Sequence, residues 1–197
     1  MTTANRITIL RILLIPFFVV EVLYYVRGGS TGHHEVHRWL ALATFAVAAI
    51  CDGVDGYIAR HFNQRSELGA ILDPMADKLL LVSGIVVLSR QNEPYLAGVP
   101  LWLTGTVIGR DVLLLLGLLV IQMIVGQVKV RPRLLGKVAT VLQMAVVLWI
   151  LLKWDRRWLY WWTLGAGLCT GISGLLYVWD GTRLLSAHPA SSPTAKQ

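Results

Sequence analysis

Charge is scarce in this chain. Of its 197 residues only 15% are Asp, Glu, Lys or Arg, against 55% hydrophobic, and the mean hydropathy is +0.61. That combination excludes an ordinary water-soluble domain of this length. Cysteine is scarcer still: Cys51 and Cys169 are the two present, both in apolar stretches and neither in a CxxC pair. A disulfide framework or a zinc site is thereby excluded, leaving two small residues packed on helices. The first apolar run, 7–26, has no small-residue cleavage site after it and contains Arg11, Pro16 and Glu21. It reads as a retained helix and not as a removed signal peptide. No soluble domain is expected before or after the apolar region, and no internal repeat stands out. Acidic residues number 11 against 18 basic ones, a net charge of +7. In a chain this apolar, the excess suits loops lying against anionic lipid, with no nucleic-acid partner.

What is present is a series of apolar runs, each near the roughly 20 residues needed to cross a hydrocarbon core of about 30 Å. Six spans are predicted, at 6–26, 38–60, 68–90, 97–126, 134–153 and 158–180. The expected fold class is an all-α polytopic membrane protein with six transmembrane helices. Residues 1–183 form one transmembrane domain, and 184–197, LLSAHPASSPTAKQ, form a polar tail whose composition predicts disorder. More Lys and Arg fall on the side holding both termini and the second and fourth loops than on the other, which places both termini in the cytoplasm. The cluster WLYWWTLG at 158–165 suits an aromatic belt at the far face.

The stretch CDGVDGYIARHFNQRSELGAILDPMADK, 51–78, sets Asp52, Asp55, Asp73 and Asp77 within otherwise apolar helix. A carboxylate near the bilayer centre costs about 2.5–3.5 kcal/mol, so four of them need a reason. Spacings of three and four put each pair on one helix face. Two antiparallel helices joined by a short loop bring those faces together. Four clustered carboxylates repel unless cations compensate. An all-oxygen set with no His or Cys nearby suits magnesium or manganese better than zinc. Two such divalent cations sharing carboxylates would neutralise the cluster, an arrangement also used for displacement at phosphorus. Gly56 and Gly69 remove side chains near the aspartates, either for close approach of a bulky ligand or for helix packing. Arg60 can hold a phosphate oxygen in a fork geometry.

At fixed spacing, Asp52, Asp55, Gly56, Ala59, Arg60, Gly69, Asp73 and Asp77 spell D-x2-D-G-x2-A-R-x8-G-x3-D-x3-D. This pattern resembles the signature of the CDP-alcohol phosphatidyltransferases, and the six-span size is similar too. The resemblance implies transfer of the phosphatidyl group from CDP-diacylglycerol to an acceptor alcohol, with CMP leaving. It implies two divalent metals, magnesium or manganese, on the four aspartates, with Asp77 as general base towards the acceptor hydroxyl. Gly56, Ala59, Arg60 and Gly69 would border the cytidine diphosphate, and the active site would face the cytoplasm from a bacterial inner membrane. The family is typically homodimeric. The opening NRITILR is similar to the start seen in the glycerol-phospholipid branch, with Asn5, Thr8 and Arg11 matching and Arg6 replacing the usual proline. Asn5 and Thr8 thus join the CDP-diacylglycerol contacts, while Arg11 is either a snorkelling interfacial cation or a phosphate contact.

The acceptor must be read from other residues. Arg110 and Asp111 form an ionisable pair inside the fourth span, either a self-compensating packing pair or a site for the acceptor's phosphate. Phosphatidylglycerophosphate synthases resemble this region but usually carry R-E and a second arginine where Leu118 stands. R-D, together with Val130-x-Pro132, resembles the cardiolipin synthases that use CDP-diacylglycerol. Lys137 and Gln143 match both patterns. Phosphatidylglycerol is therefore the favoured acceptor and glycerol 3-phosphate the alternative, with Arg110, Arg131, Arg133 and Lys137 as acceptor contacts. The basic cluster equally suits anchoring to anionic headgroups.

Other signals carry less. His33, His34 and His37 in GSTGHHEVHR fall in a predicted solvated loop far from the aspartates. Gly167, Gly171 and Gly174 form a small-residue stripe that suits packing against another helix or chain. A divalent-cation transporter is the rival class, but its ligands would come from several helices near the midplane. An inactive scaffold would be expected to lack one of the four aspartates.

Overall fold

The computed structural model describes the backbone of residues 3–28, 34–61, 67–90, 95–125 and 134–186, and the side chains of 8–28, 35–51, 75–90, 95–117, 119–120, 123 and 134–183. Among the described residues six helices follow one another: α1 (Thr3–Arg27), α2 (His34–His61), α3 (Glu67–Leu88), α4 (Leu101–Val125), α5 (Leu134–Leu151) and α6 (Arg156–Ser186). No strand occurs among the described residues. The all-helical class and the six elements match the sequence expectation. Helix α6 runs through Ser186, two residues past the expected start of the polar tail at 184, and 187–197 lie outside the described residues.

The helix ends have local causes. Pro100 cannot continue a preceding helix, and its carbonyl accepts from the amides of Leu103 (3.0 Å) and Thr104 (3.3 Å), which starts α4 at Leu101 rather than 97. Asp155 caps α6, its carboxylate accepting the Arg157 amide at 3.1 Å. Helix α5 closes in a Schellman motif: the Lys153 amide reaches the Ile150 carbonyl at 3.0 Å and the Trp154 amide the Trp149 carbonyl at 3.3 Å. Lys153 takes the left-handed position of that motif, at φ 54°, where glycine is usual. Pro16 interrupts the hydrogen-bond ladder of α1 without ending it, as membrane helices tolerate.

The chain divides into two compact units, residues 1–99 with 147–159, and residues 100–146 with 160–197. In the first, α1 packs along α2 and against α3. Its core holds Phe18, Val22, Phe45, Leu80, Ile85 and Leu88, with the Phe18 and Phe45 rings tilted at 5.4 Å. Ala41, Ala48 and Ala76 are fully buried, small residues that let helix backbones approach. In the second unit Leu103, Val107, Ala139, Val146 and Ala166 are buried. There the buried amide of Gln143 donates to the Thr170 hydroxyl at 2.7 Å, and that hydroxyl donates to the Ala166 carbonyl at 2.6 Å.

A polar knot joins the end of α1, the start of α2 and the turn after α5. Arg38 donates from Nε to Glu35 at 2.6 Å and from Nη1 to the carbonyl of Leu151 at 2.8 Å, satisfying an orphan group at the end of α5. Lys153 Nζ donates to Glu35 at 2.7 Å and lies 5.2 Å over the Tyr25 ring. Hydrogen bonds from Lys153 and Arg38 hold the Glu35 carboxyl down at about 2. Partial burial opposes the charge on Lys153, but Glu35 and Tyr25 together raise its pKa. His37 does not belong to a solvated loop. It sits on α2 with Nδ1 2.7 Å from the buried Glu21 carboxylate and its ring stacked on Tyr24 at 5.6 Å.

The outer faces are apolar. Leu10, Leu13 and Phe17 on α1, Leu113, Leu115 and Leu116 on α4, and Leu168, Leu175 and Trp179 on α6 are all exposed. Such contiguous outward hydrophobics mark lipid or protein contact rather than water. Among the described residues, two stretches are long and apolar enough to cross a membrane: Thr8–Arg27, of hydropathy 2.2, and Leu134–Leu151, of hydropathy 2.0.

Candidate active site

Asp52 and Asp55 fall on α2, and Asp73 and Asp77 on α3. Because both segments are continuous α-helix, each pair occupies one face of its helix, as the three- and four-residue spacings require. Both helices belong to the first unit, where α2 and α3 are in contact and α1 packs on both. Of the four aspartates, Asp77 is the one whose side chain is described. It follows fully buried Ala76, and its Oδ1 is enclosed away from solvent. An enclosed carboxylate oxygen on an all-oxygen helix face fits a hard divalent cation.

The side chains of Asn5, Asp52, Asp55, Gly56, Ala59, Arg60, Gly69 and Asp73 lie outside the described residues, although their backbones are helical. Thr8 and Arg11 are both fully buried on α1 and both have partners. Burial corrects one reading of Arg11: a snorkelling side chain would keep its head in the aqueous interface.

The acceptor candidates divide. Arg131 and Arg133, with Val130 and Pro132, lie outside the described residues. Lys137 is exposed on α5. Arg110 belongs to the second unit, on α4, where Nη1 stands 3.6 Å from Asp111 Oδ1. Its stem lies against Gly174, where an added Cβ would come 3.4 Å from Arg110 Cγ. Its head lies over Gly136, where an added Cβ would come 3.1 Å from Nη2. The glycine stripe of α6 is therefore partly used within the chain: Gly174 against Arg110, and Gly167 against Trp102, whose ring a Cβ would meet at 2.3 Å. Gly171 faces open space.

The family model of the CDP-alcohol phosphatidyltransferases matches residues 1–172. The chain belongs to this family. A probable phosphatidylglycerophosphate synthase of Mycobacterium tuberculosis is 37% identical over 145 residues, which are 73% of this chain and 63% of that protein. The chain thus spans less than two thirds of that relative's length. A CDP-diacylglycerol–glycerol-3-phosphate 3-phosphatidyltransferase of Pseudomonas fluorescens is 37% identical over 118 residues, 57% of this chain and 52% of the relative. A protein of the same name in Escherichia coli is 30% identical over 185 residues, 93% of each chain. All three names specify a phosphatidylglycerophosphate-forming enzyme.

Proposed function

We propose that this membrane protein transfers the phosphatidyl group of CDP-diacylglycerol to glycerol 3-phosphate, giving phosphatidylglycerophosphate and CMP. The observation that carries the chemistry is the placement of two aspartate pairs, each on one face of α2 or α3, in a unit where those helices touch. The acceptor rests on the relatives' names, above all the E. coli protein matched over 93% of both chains. The R-D pair and the V-x-P segment, which favoured phosphatidylglycerol, carry less than a match of that length.

Asp77 accepts the proton of the acceptor hydroxyl as its oxygen forms a bond to the phosphatidyl phosphorus. The bond from that phosphorus to the bridging pyrophosphate oxygen breaks, and CMP leaves with the bond's electron pair. Asp52, Asp55, Asp73 and Asp77 would hold two divalent cations, magnesium or manganese, which supply charge neutralisation at the reacting phosphate. Arg60 binds a phosphate oxygen of the nucleotide. Gly56, Ala59 and Gly69 leave room for the cytidine diphosphate, with Asn5 and Thr8 contributing from α1. The six helices cross the bacterial inner membrane with both termini and the aspartates on the cytoplasmic side, and the protein works as a homodimer. The outward apolar faces support the membrane placement.

Incubation with labelled glycerol 3-phosphate, CDP-diacylglycerol and magnesium tests this reading. Label should pass into the chloroform-extractable fraction. Aqueous label alongside conversion of phosphatidylglycerol to cardiolipin would refute the acceptor assignment.

A further inference from the structure

A cavity of the first unit lies far from the aspartates. It has a volume of about 190 Å³, and its lining includes Tyr95, Ala97, Trp149, Lys153, Trp154 and Arg156. All of these belong to the first unit, where the turn between α5 and α6 faces the segment that follows α3. The walls are fixed. The Val99 amide donates to the Leu88 carbonyl at 2.9 Å, and buried Leu96 pins the same segment. Trp149 donates from Nε1 to the Asp155 carbonyl at 3.1 Å, and the Trp154 ring stands edge-on to it at 4.7 Å. Lys153 is joined to Glu35 at 2.7 Å. Glu35 and Asp52 stand about 25 Å apart along continuous α2, at roughly 1.5 Å per residue. The cavity and the aspartates therefore occupy opposite ends of this unit.

Cations and aromatic rings share this lining. Glu35 is the partner of both Lys153 and Arg38, so one carboxylate answers two cations, and Arg156 adds a third. Lys153 also holds a left-handed backbone, at φ 54°, where glycine would sit without strain. Strain of this kind is retained where the side chain has a use. Beside the charges stand the indoles of Trp149 and Trp154 and the ring of Tyr95, and exposed Trp158 continues the aromatic surface outwards. A soluble anion would satisfy the cations and leave the rings in water. A phospholipid suits both, because glycerol and acyl carbons follow its phosphate. We propose that this cavity binds the headgroup of an anionic phospholipid, with Lys153 and Arg156 meeting the phosphate and Trp149 and Trp154 flanking the glycerol. The acyl chains stay outside, along the exposed faces of Trp154 and Trp158. Basic pockets between membrane helices hold anionic headgroups in this manner, and tryptophans mark the depth at which those headgroups lie. The site is independent of the acceptor that the aspartates serve.

The test is lipid titration of the full chain in nonionic detergent, read by native mass spectrometry, with phosphatidylglycerol and phosphatidylcholine compared. Phosphatidylglycerol should bind the wild type more tightly. Arg156→Gln should weaken it about fivefold, the scale of one cation beside an anionic headgroup, and leave phosphatidylcholine unchanged. Arg156→Lys should restore the wild-type preference. Trp154→Leu, at an exposed ring, should weaken both lipids, and it decides alone if Arg156→Gln does not fold. Equal affinity of the wild type for the two lipids would overturn the proposal. So would phosphatidylglycerol binding that neither variant changes, or equal losses of both lipids in Arg156→Gln. Displacement of phosphatidylglycerol by inorganic phosphate at matched ionic strength would make the cavity a soluble-anion site and overturn the lipid assignment.

Discussion

Replacing Glu35 by glutamine tests the polar knot that ties α5 to the first two helices. Glu35 receives Lys153 at 2.7 Å and Arg38 at 2.6 Å, and these bonds lower its pKa from 4.5 to about 2. A depressed acid stabilises the fold fully above its unfolded pKa, here 4.5, and loses that contribution as pH falls towards the folded value. Unscreened, the difference corresponds to about 3 kcal/mol at roughly 1.36 kcal/mol per pH unit. The side chain is 50% exposed, however, so solvent screening reduces the contribution to about 1–2 kcal/mol. For a chain of this length that is about 5 °C in Tm. Thermal unfolding in detergent, followed by tryptophan fluorescence, should show Glu35→Gln about 5 °C below wild type at pH 7. At pH 2.5 the gap should shrink to about a quarter. A gap that stays constant from pH 7 to 2.5, or no gap at all, would refute the reasoning. Lys153 separates backbone from charge. Lys153→Ala loses the ion pair and keeps the left-handed backbone, whereas Lys153→Gly relieves about 1 kcal/mol of backbone cost. Glycine should therefore unfold at the higher temperature of the two.

Three further outcomes are expected. Asp77→Asn should lower CMP release by at least about 100-fold, the usual scale for a general base, while leaving Tm within a few degrees of wild type. Wild-type turnover by that variant would remove Asp77 from the proton-transfer role. Gly167→Ala places a Cβ 2.3 Å from the Trp102 ring and should lower Tm, whereas Gly171→Ala meets open space and should not. Trimming the ring in a Gly167→Ala, Trp102→Leu double variant should recover most of that loss, and equal Tm for the two single variants would contradict the packing. Chelation should abolish CMP release, and magnesium or manganese should restore it. Full activity in chelator would refute a metal role for the aspartates.

The helices were legible because long apolar runs leave few other folds, but two starts were misplaced: the fourth span was drawn from 97 through Pro100, and the sixth from 158 where Asp155 caps a helix beginning at Arg156. The aspartate pairs were equally legible, since spacings of three and four have meaning only on a helix. The ends of the knot were not. His37 looked like part of a polar loop because its partner, Glu21, comes from the preceding helix and only tertiary packing joins them. Arg11 is ambiguous in sequence because a cation near a helix end snorkels or is buried according to its neighbours, and here it is buried. Arg110 showed its charge but not its setting. Its contacts with Gly136 and Gly174 join three separate helices, which no local pattern encodes. The proposed acceptor differs from the one that Leu118 and Val130-x-Pro132 favoured, because those positions carry little information beside a full-length likeness.

The most direct test of the account is CMP release by the purified protein with CDP-diacylglycerol and magnesium, with each acceptor supplied alone. Release with glycerol 3-phosphate, and little with phosphatidylglycerol, is the predicted result. Release with phosphatidylglycerol alone, or with neither acceptor, would contradict it.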